Sequence, residues 1–165
     1  MLVVAVVSDT HAPRFWTSMP PAVAEQLLGV DVILHAGDVC TPGVLDELAA
    51  FAPVHVVLGN NDGPDVAAWG APETLEIDLG GVRVAMIHDS GPKQGRAGRM
   101  RRLFPYADLV VFGHSHIPWD TEEGGQRLFN PGSPTDKRRQ PRGTVGRLEI
   151  EHGQIVSAAI ISLTP

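Results

Sequence analysis

Residues 2–11 of the chain read LVVAVVSDTH, an apolar run that leads directly into an aspartate, a threonine and a histidine. A continuous run of valine and other apolar residues is typical of a strand that is buried on both faces of a parallel sheet. Polar residues that follow such a strand lie at its carboxyl end, where open α/β sheets place their sites. The stretch therefore predicts an α/β fold that carries Asp9 and His11 at a sheet edge.

Three further apolar runs lead into short motifs of polar side chains. They are Val30–His35 before Gly37-Asp38, Pro53–Leu58 before Gly59-Asn60-Asn61-Asp62, and Ala107–Phe112 before Gly113-His114-Ser115-His116. A separate histidine, His88, ends the run that starts at Val82. Because each motif follows a predicted strand, we expect all of them to contribute to one site.

The segments between these runs predict the rest of the fold. The sequence predicts helices at about Pro20–Leu28 and Pro42–Phe51, and Thr41 is a favourable N-cap for the second. Helices that alternate with strands in this way indicate a parallel sheet with crossover connections. The second half predicts a hairpin, a helix and later strands: Glu73–Leu79 with Val82–His88 around Gly80-Gly81, then Gln94–Phe104, Arg127–Asn130, Thr144–Ile150 and Ile155–Ile161. We expect two packed sheets with helices outside.

The bulk composition is that of one globular domain. A chain of 165 residues buries roughly 68–70% of its unfolded surface, so we expect a single domain over residues 1–165. The net charge of −6 disfavours a nucleic-acid partner. The only cysteine, Cys40, fits a reducing compartment, and Leu2–Val7 is too short for a membrane span. We expect a cytoplasmic protein with no membrane partner.

Seven residues at the predicted strand ends offer ligands for divalent cations: Asp9, His11, Asp38, Asn60, His88, His114 and His116. This number can hold two cations about 3.5–4 Å apart, an arrangement suited to in-line hydrolysis of a phosphate ester. Asp9 and His11 are two residues apart, as are His114 and His116, so on an extended strand end each pair would point the same way. The carboxylate of Asp38 can bridge both cations, and the donor set suits Mn, Fe, Co, Ni or Zn better than calcium.

In their order these motifs resemble those of the calcineurin-like metallophosphoesterase superfamily, and more narrowly its small bacterial and archaeal phosphodiesterases. The matching motifs are D-x-H at Asp9/His11, G-D at Gly37/Asp38, G-N-x-D at Gly59–Asp62, G-H-x-H at Gly113–His116, and the late turn Asn130-Pro131-Gly132-Ser133. The resemblance implies a four-layer αββα sandwich, in which two mixed β-sheets are flanked by helices.

The resemblance also implies a site with two cations. Asp9, His11, Asp38 and His116 would hold the first cation, and Asp38, Asn60, His88 and His114 would hold the second. A hydroxide that bridges the cations would attack phosphorus while the cations neutralise the phosphate oxygens. Manganese is the expected metal, with nickel, iron, zinc, cobalt and magnesium as alternatives.

Two positions depart from the family pattern. Many members have a histidine after the asparagine, where it is the usual candidate to protonate the leaving group, and this chain has Asn61 there. Asn61 cannot act as a general acid, and Asp62 could partly substitute for that histidine or orient another one. The family often has a glycine after the histidine at position 88, and this chain has Asp89, which adds negative charge near an anion site.

The late turn and the basic run after it supply candidate substrate contacts. Asn130 and Ser133 could hydrogen-bond to substrate, although a plain Pro-Gly turn explains them equally well. Arg138, in the basic run at residues 137–142, could grip a phosphate or a second nucleotide. We interpret His35 as a buried packing residue and Cys40 as structural.

Three hypotheses for function remain open. The first is a metal-dependent phosphodiesterase that acts on a small phosphate ester, with a nucleotide as one candidate. The second is a phosphomonoesterase or nucleotide pyrophosphohydrolase on the same site. The third is a non-catalytic scaffold, because the superfamily includes a retromer subunit that keeps the fold and binds partners. A homo-oligomer is compatible with each.

Overall fold

The computed structural model describes residues 1–165, which form ten strands and four helices. In chain order they are β1 (Leu2–Val7), α1 (Pro21–Leu27), β2 (Val32–His35), α2 (Gly43–Ala49), β3 (Val54–Val56), α3 (Pro64–Trp69), β4 (Thr74–Leu79), β5 (Val82–Ile87), α4 (Arg96–Leu103), β6 (Leu109–Val111), β7 (Trp119–Glu123), β8 (Gln126–Asn130), β9 (Thr144–Glu151) and β10 (Gln154–Ser162). The first sheet has the strand order β10-β9-β1-β2-β3, and the second has the order β4-β5-β6-β8-β7. Both sheets mix parallel and antiparallel pairs.

Three apolar clusters hold the layers together. The cluster between the two sheets includes Val4 of β1 and Met86 of β5. Ile33 of β2 and Leu45 of α2 belong to the cluster on the outer face of the first sheet, and Met100 of α4 belongs to the one on the outer face of the second. The order of layers is therefore helix, sheet, sheet, helix, which confirms the predicted αββα sandwich. None of the four helices is long and apolar enough to cross a membrane.

The apolar runs predicted most of these elements. β1 has the predicted bounds, and the other predicted elements lie within a few residues of theirs. The edge strand β7 was missed because its sequence, WDTEE, is mostly exposed and has no apolar alternation. The short helix α3 was also missed, and the predicted Thr41 cap is wrong: Pro42 precedes α2 and no side chain caps it.

The fold brings the ends of several strands to one edge. Val7 of β1 pairs with His35 of β2, which in turn pairs with Val56 of β3, so the loops after these three strands start side by side. In the second sheet, the N–H of Gly113 donates to the carbonyl of His88 at 2.9 Å, which joins the loops after β5 and β6. All the polar motifs therefore leave the sheets at neighbouring points.

Candidate metal centre

The loops that carry the motifs have an unusual backbone. Six of their non-glycine residues have positive φ: Asp9 (57°), His11 (48°), Asp38 (58°), Cys40 (73°), His114 (73°) and His116 (61°). Such left-handed conformations are uncommon for non-glycine residues, and they persist where the surrounding structure holds them in place. The expectation that each pair lies on an extended strand end is therefore wrong, because the strands stop earlier and turns aim these side chains.

Asp62 fixes the loops after β2 and β3 to each other. Its carboxylate accepts hydrogen bonds from the backbone N–H groups of Asp38 (2.9 Å), Cys40 (2.7 Å) and Gly59 (2.8 Å). With both oxygens engaged by the backbone, the carboxylate is turned into the loops and holds them around Asp38. Asp62 is expected either to donate a proton or to orient a histidine, but its hydrogen-bond partners are three backbone N–H groups and no histidine, so this geometry supports neither role.

The first candidate cluster contains Asp9, His11 and His116. The side chain of Asp9 is held through Oδ2, which accepts from the hydroxyl of Ser8 (2.6 Å) and the N–H of His114 (3.0 Å). Its other oxygen, Oδ1, is buried and has no hydrogen-bond partner. It faces the Nε2 atoms of His116 at 3.3 Å and His11 at 3.6 Å.

The second candidate cluster contains Asp38, His88 and His114. Oδ2 of Asp38 lies 3.3 Å from Nε2 of His88 and 3.5 Å from Nε2 of His11, so it faces both clusters. The side-chain oxygen of Asn60 lies 3.1 Å from both Nε2 of His88 and Nδ1 of His114. The structure thus brings all seven predicted ligand residues together, with Asp38 between the two groups.

Asn61 also contacts Asp38. Its backbone N–H donates to Oδ1 and its side-chain amide donates to Oδ2, both at 2.9 Å. The residue that stands where the family has a histidine is therefore committed to holding the carboxylate of Asp38.

Backbone carbonyls orient two of the histidines. Nδ1 of His88 lies 2.7 Å from the carbonyl oxygen of Ala36, and Nδ1 of His116 lies 2.6 Å from that of Asp136. A carbonyl only accepts hydrogen bonds, so each Nδ1 carries the proton and each Nε2 is directed into the centre. Sequence reasoning missed these partners, because a backbone carbonyl leaves no signal in the residue type.

Opposite charges set the pKa values in the centre. Burial alone would raise the pKa of Asp9, but contacts with His11 and His116 outweigh it, so this pKa lies well below its usual range. Burial also opposes the shift at Asp38, yet His88 and neighbouring N–H groups lower its pKa from 3.8 to about 2. Against the effect of burial, the carboxylates raise the pKa of His88 and of His116. The centre therefore favours ionised carboxylates at neutral pH.

The geometry of the two clusters fits divalent cations. Nε2 of His11 and Nε2 of His116 are 3.3 Å apart, and ligand atoms about 2.0–2.1 Å from a tetrahedral cation are separated by about 3.3 Å. The buried, unpartnered oxygen of Asp9 next to them is a group that a bound cation would satisfy. The combination of imidazole, carboxylate and amide donors suits transition metals.

Two neighbours of the centre have structural surroundings, as expected. His35 is fully buried, where Nδ1 accepts from the N–H of Gly37 at 3.1 Å and Nε2 contacts the hydroxyl of Thr10 at 3.1 Å. Sγ of Cys40 lies 3.8 Å from Nδ1 of His11. Burial and the nearby carboxylates raise the pKa of the Cys40 thiol to about 11, so it stays protonated at neutral pH.

We expect His35 to make the protein less stable in acid. Burial lowers its pKa from 6.5 to about 4, so in this window the unfolded chain binds a proton that the folded chain does not. The free energy of unfolding therefore decreases as the pH falls from 6.5 to 4, by about 3 kcal/mol from this group. His35→Asn keeps an acceptor and removes the titration. Urea unfolding at neutral pH and near pH 4 should show a smaller loss in the variant, and equal losses would contradict the prediction.

The predicted substrate contacts of the late turn are not available to a ligand. Asn130 is buried, and its amide donates to the carbonyl of Gly113 at 3.1 Å. Ser133 is also buried, and its hydroxyl donates to the carbonyl of Asp9 at 2.8 Å. Both residues brace the loops of the centre, so the alternative of a structural turn replaces the expected substrate contact. Arg138 differs, because its side chain is exposed beside His116.

Comparison with known proteins identifies the family. The calcineurin-like phosphoesterase superfamily domain matches residues 1–153. A probable metallophosphoesterase of Methanothermobacter thermautotrophicus is 35% identical over 165 residues, which cover 97% of this chain and 92% of that protein. The chain therefore belongs to the calcineurin-like phosphoesterase superfamily, as the motifs predicted. Family membership and the two clusters together support divalent metal ions as its cofactor.

Solved structures share the fold over nearly the whole chain. Wild-type Vps29 of Entamoeba histolytica, complexed with Zn²⁺, has a TM-score of 0.77 and 25% identity, covering 98% of this chain and 99% of that chain. A structure described as a novel archaeal phosphodiesterase has a TM-score of 0.74 and 19% identity, covering 97% and 100%. At that lower identity the similarity shows the fold alone.

Proposed function

We propose that the chain is a metal-dependent phosphodiesterase with two divalent cations in one centre. The observation that carries this proposal is the pair of adjacent clusters, one with Asp9, His11 and His116 and one with Asp38, His88 and His114. In the first cluster, the buried Oδ1 of Asp9 has no hydrogen-bond partner. Two cations placed close together suit in-line hydrolysis of a phosphate ester above other reactions.

The ligand sets extend the two clusters. Asp9, His11 and His116, together with Asp38, would hold the first cation, and Asp38, His88 and His114, together with Asn60, would hold the second. Support comes from the position of Oδ2 of Asp38, which lies within 3.5 Å of an imidazole nitrogen in each cluster. Manganese is the metal we expect, and a 25%-identical structure that contains Zn²⁺ is compatible with the wider set of metals.

The protein residues position these groups and supply charge. When bound, the cations would activate a water molecule and neutralise the phosphate oxygens. Asp62 and Asn61 keep Asp38 in place, while the carbonyls of Ala36 and Asp136 fix the histidine rings that they contact. Asp38, His88 and His116 are thus oriented by residues outside the set of candidate ligands.

The absence of a histidine at position 61, which could protonate the leaving group, favours diesters with good leaving groups. Asn61 cannot donate a proton to a leaving oxygen, and both of its donor groups are bound to Asp38. A substrate whose leaving group is stable as an anion needs no such donor. Phosphomonoester or nucleotide pyrophosphate hydrolysis on the same centre is the alternative activity. The scaffold alternative is weakened because no ligand position is lost.

The test is hydrolysis by chelator-treated protein with one divalent metal restored at a time. We expect bis(p-nitrophenyl) phosphate to be cleaved with Mn²⁺ and faster than p-nitrophenyl phosphate, because a hydroxide nucleophile is repelled less by a singly charged diester than by a doubly charged monoester. His114→Ala should remove the activity, whereas His152→Ala, in the β9–β10 turn, should not.

Other outcomes separate the alternatives. Faster cleavage of the monoester, or of a dinucleoside polyphosphate, would replace the diesterase by the alternative activity. No metal-dependent cleavage of any of these esters would overturn the enzymatic proposal. In that case, absence of bound Mn²⁺ at near-saturating concentration would favour the scaffold.

A further inference from the structure

Two cavities of opposite charge each include candidate ligands in their lining: His116 of the first cluster in one, and Asn60 and His88 beside the second cluster in the other. One cavity, of about 440 Å³, is lined by His116 together with Lys137, Arg138 and Arg139. The other, of about 420 Å³, is lined by His88 and Asn60 together with acidic residues that include Glu73 and Asp89. A substrate that spans the centre therefore meets positive charge on the His116 side and negative charge on the His88 side.

The positive charge comes from residues 137–139, which we call the basic loop. None of its three side chains takes part in a salt bridge, since the Arg and Lys pairs of the protein are Arg127–Asp120 and Arg147–Glu149. Arg138 lines the same cavity as His116. Three unpaired cations beside a cavity attract an anion.

The segment that leads into the basic loop is anchored to the centre at several points. Ser133 donates to the carbonyl of Asp9 at 2.8 Å, and Thr135 donates to that of Thr10 at 2.9 Å. The ring of His116 contacts the carbonyl of Asp136 at 2.6 Å. Arg138 itself has a left-handed backbone with φ of 49°, which is uncommon for arginine and needs support from its surroundings. The backbone that carries the three cations thus starts from a fixed point beside the candidate ligands.

We propose that the cavity beside His116 is a subsite for a second phosphate group of the substrate, held by Lys137, Arg138 and Arg139. The inference rests on the proposed phosphodiesterase function and names its substrate class: diesters in which one arm carries a terminal phosphate. Arginine pairs with phosphate through two parallel hydrogen bonds, which gives direction as well as charge. The acidic cavity on the other side disfavours the same arm, so the substrate binds in one orientation.

Two matched substrates test this subsite. Thymidine 5′-(p-nitrophenyl phosphate) and the same compound with a 3′-phosphate have the same leaving group and differ only in the terminal phosphate. We expect kcat/KM to be about tenfold higher for the 3′-phosphorylated compound. The difference should come mainly from a lower KM, because the charge-assisted contact strengthens substrate binding. The preference should shrink at high salt, because the loop is exposed.

Variants of Arg138 test whether this residue is responsible for the preference for the 3′-phosphorylated compound. Arg138→Gln should bring the ratio of the two kcat/KM values close to one, and Arg138→Lys should retain part of the preference. The control is Arg83→Gln, which removes the same charge from the far end of β5 and should leave the ratio unchanged. An unchanged ratio in Arg138→Gln, or a wild-type ratio near one, would overturn the subsite.

Binding to the metal-free protein separates this proposal from the function on which it rests. By calorimetry, thymidine 3′,5′-bisphosphate should bind more tightly than thymidine 5′-monophosphate, and Arg138→Gln should abolish the difference. If neither diester is hydrolysed with any metal, the phosphodiesterase proposal fails and calorimetry alone decides the subsite. If the two diesters are hydrolysed with equal kcat/KM, the subsite fails while the phosphodiesterase stands.

Discussion

Asp38→Asn should reduce diester hydrolysis by at least about 100-fold, since loss of a residue that merely supports a metal ligand already costs 10–100-fold. Oδ2 of Asp38 lies 3.3 Å from Nε2 of His88 and 3.5 Å from Nε2 of His11, so it is the atom that can serve both cations. Asparagine is neutral, so the negative charge is lost. An amide nitrogen in place of Oδ2 would also be a donor facing the side-chain amide of Asn61, which donates to Oδ2 in the wild type. Both cations would lose a shared anionic ligand.

The measurement is kcat/KM for bis(p-nitrophenyl) phosphate, together with Mn²⁺ affinity by calorimetry. Asp78→Asn is the matched control, because Asp78 is exposed at the end of the β4–β5 hairpin and makes the same change of charge. The control should behave as wild type. Wild-type turnover by Asp38→Asn would remove Asp38 from the proposed centre.

Gly59→Ala should damage both the stability and the metal affinity of the protein. A Cβ atom at Gly59 would collide with Oδ1 and with the backbone N of Asp38. Backbone cannot yield as a flexible side chain can, so the loops after β2 and β3 must move apart. Overpacking of this kind typically costs about 1–3 kcal/mol of the free energy of unfolding. The displaced group is the carboxylate between the two clusters, so Mn²⁺ affinity and diester turnover should fall as well.

Gly43→Ala is the control for this prediction. A Cβ atom at Gly43, the first residue of α2, meets no atom within 4 Å, so alanine should be tolerated there. Urea unfolding measures the stability of both variants, and calorimetry measures their affinity for Mn²⁺. If Gly59→Ala matches Gly43→Ala in both measurements, the two loops are not packed as tightly as described.

Much of the fold follows from local patterns in the sequence. β1 was predicted at its observed bounds because Val4 and Val6 face the other sheet while Ala5 and Val7 face the helices, so every position is apolar. β7 was missed because an exposed edge strand has no such pattern. The sequence also contains no direct indication of which strands of the two sheets become neighbours, and here the family resemblance supplied the αββα order.

The candidate ligands could be predicted because they stand directly after strands whose carboxyl ends meet. Their orientation could not be predicted, since it depends on left-handed backbone at Asp9, His11 and other residues and on carbonyl partners from distant loops. Ser133 illustrates the difficulty. The sequence allows either a substrate contact or a plain Pro-Gly turn for this residue, and its hydroxyl is buried against the carbonyl of Asp9. Only the three-dimensional packing distinguishes a residue that braces the centre from one that faces it.

The most direct test of the account is a titration of chelator-treated protein with Mn²⁺, in which diester hydrolysis and bound metal are followed together. We predict that hydrolysis increases until two Mn²⁺ ions are bound per chain, because each of the two clusters would hold one cation. Full activity with a single bound ion, or two bound ions without hydrolysis, would contradict a phosphodiesterase with a two-cation centre.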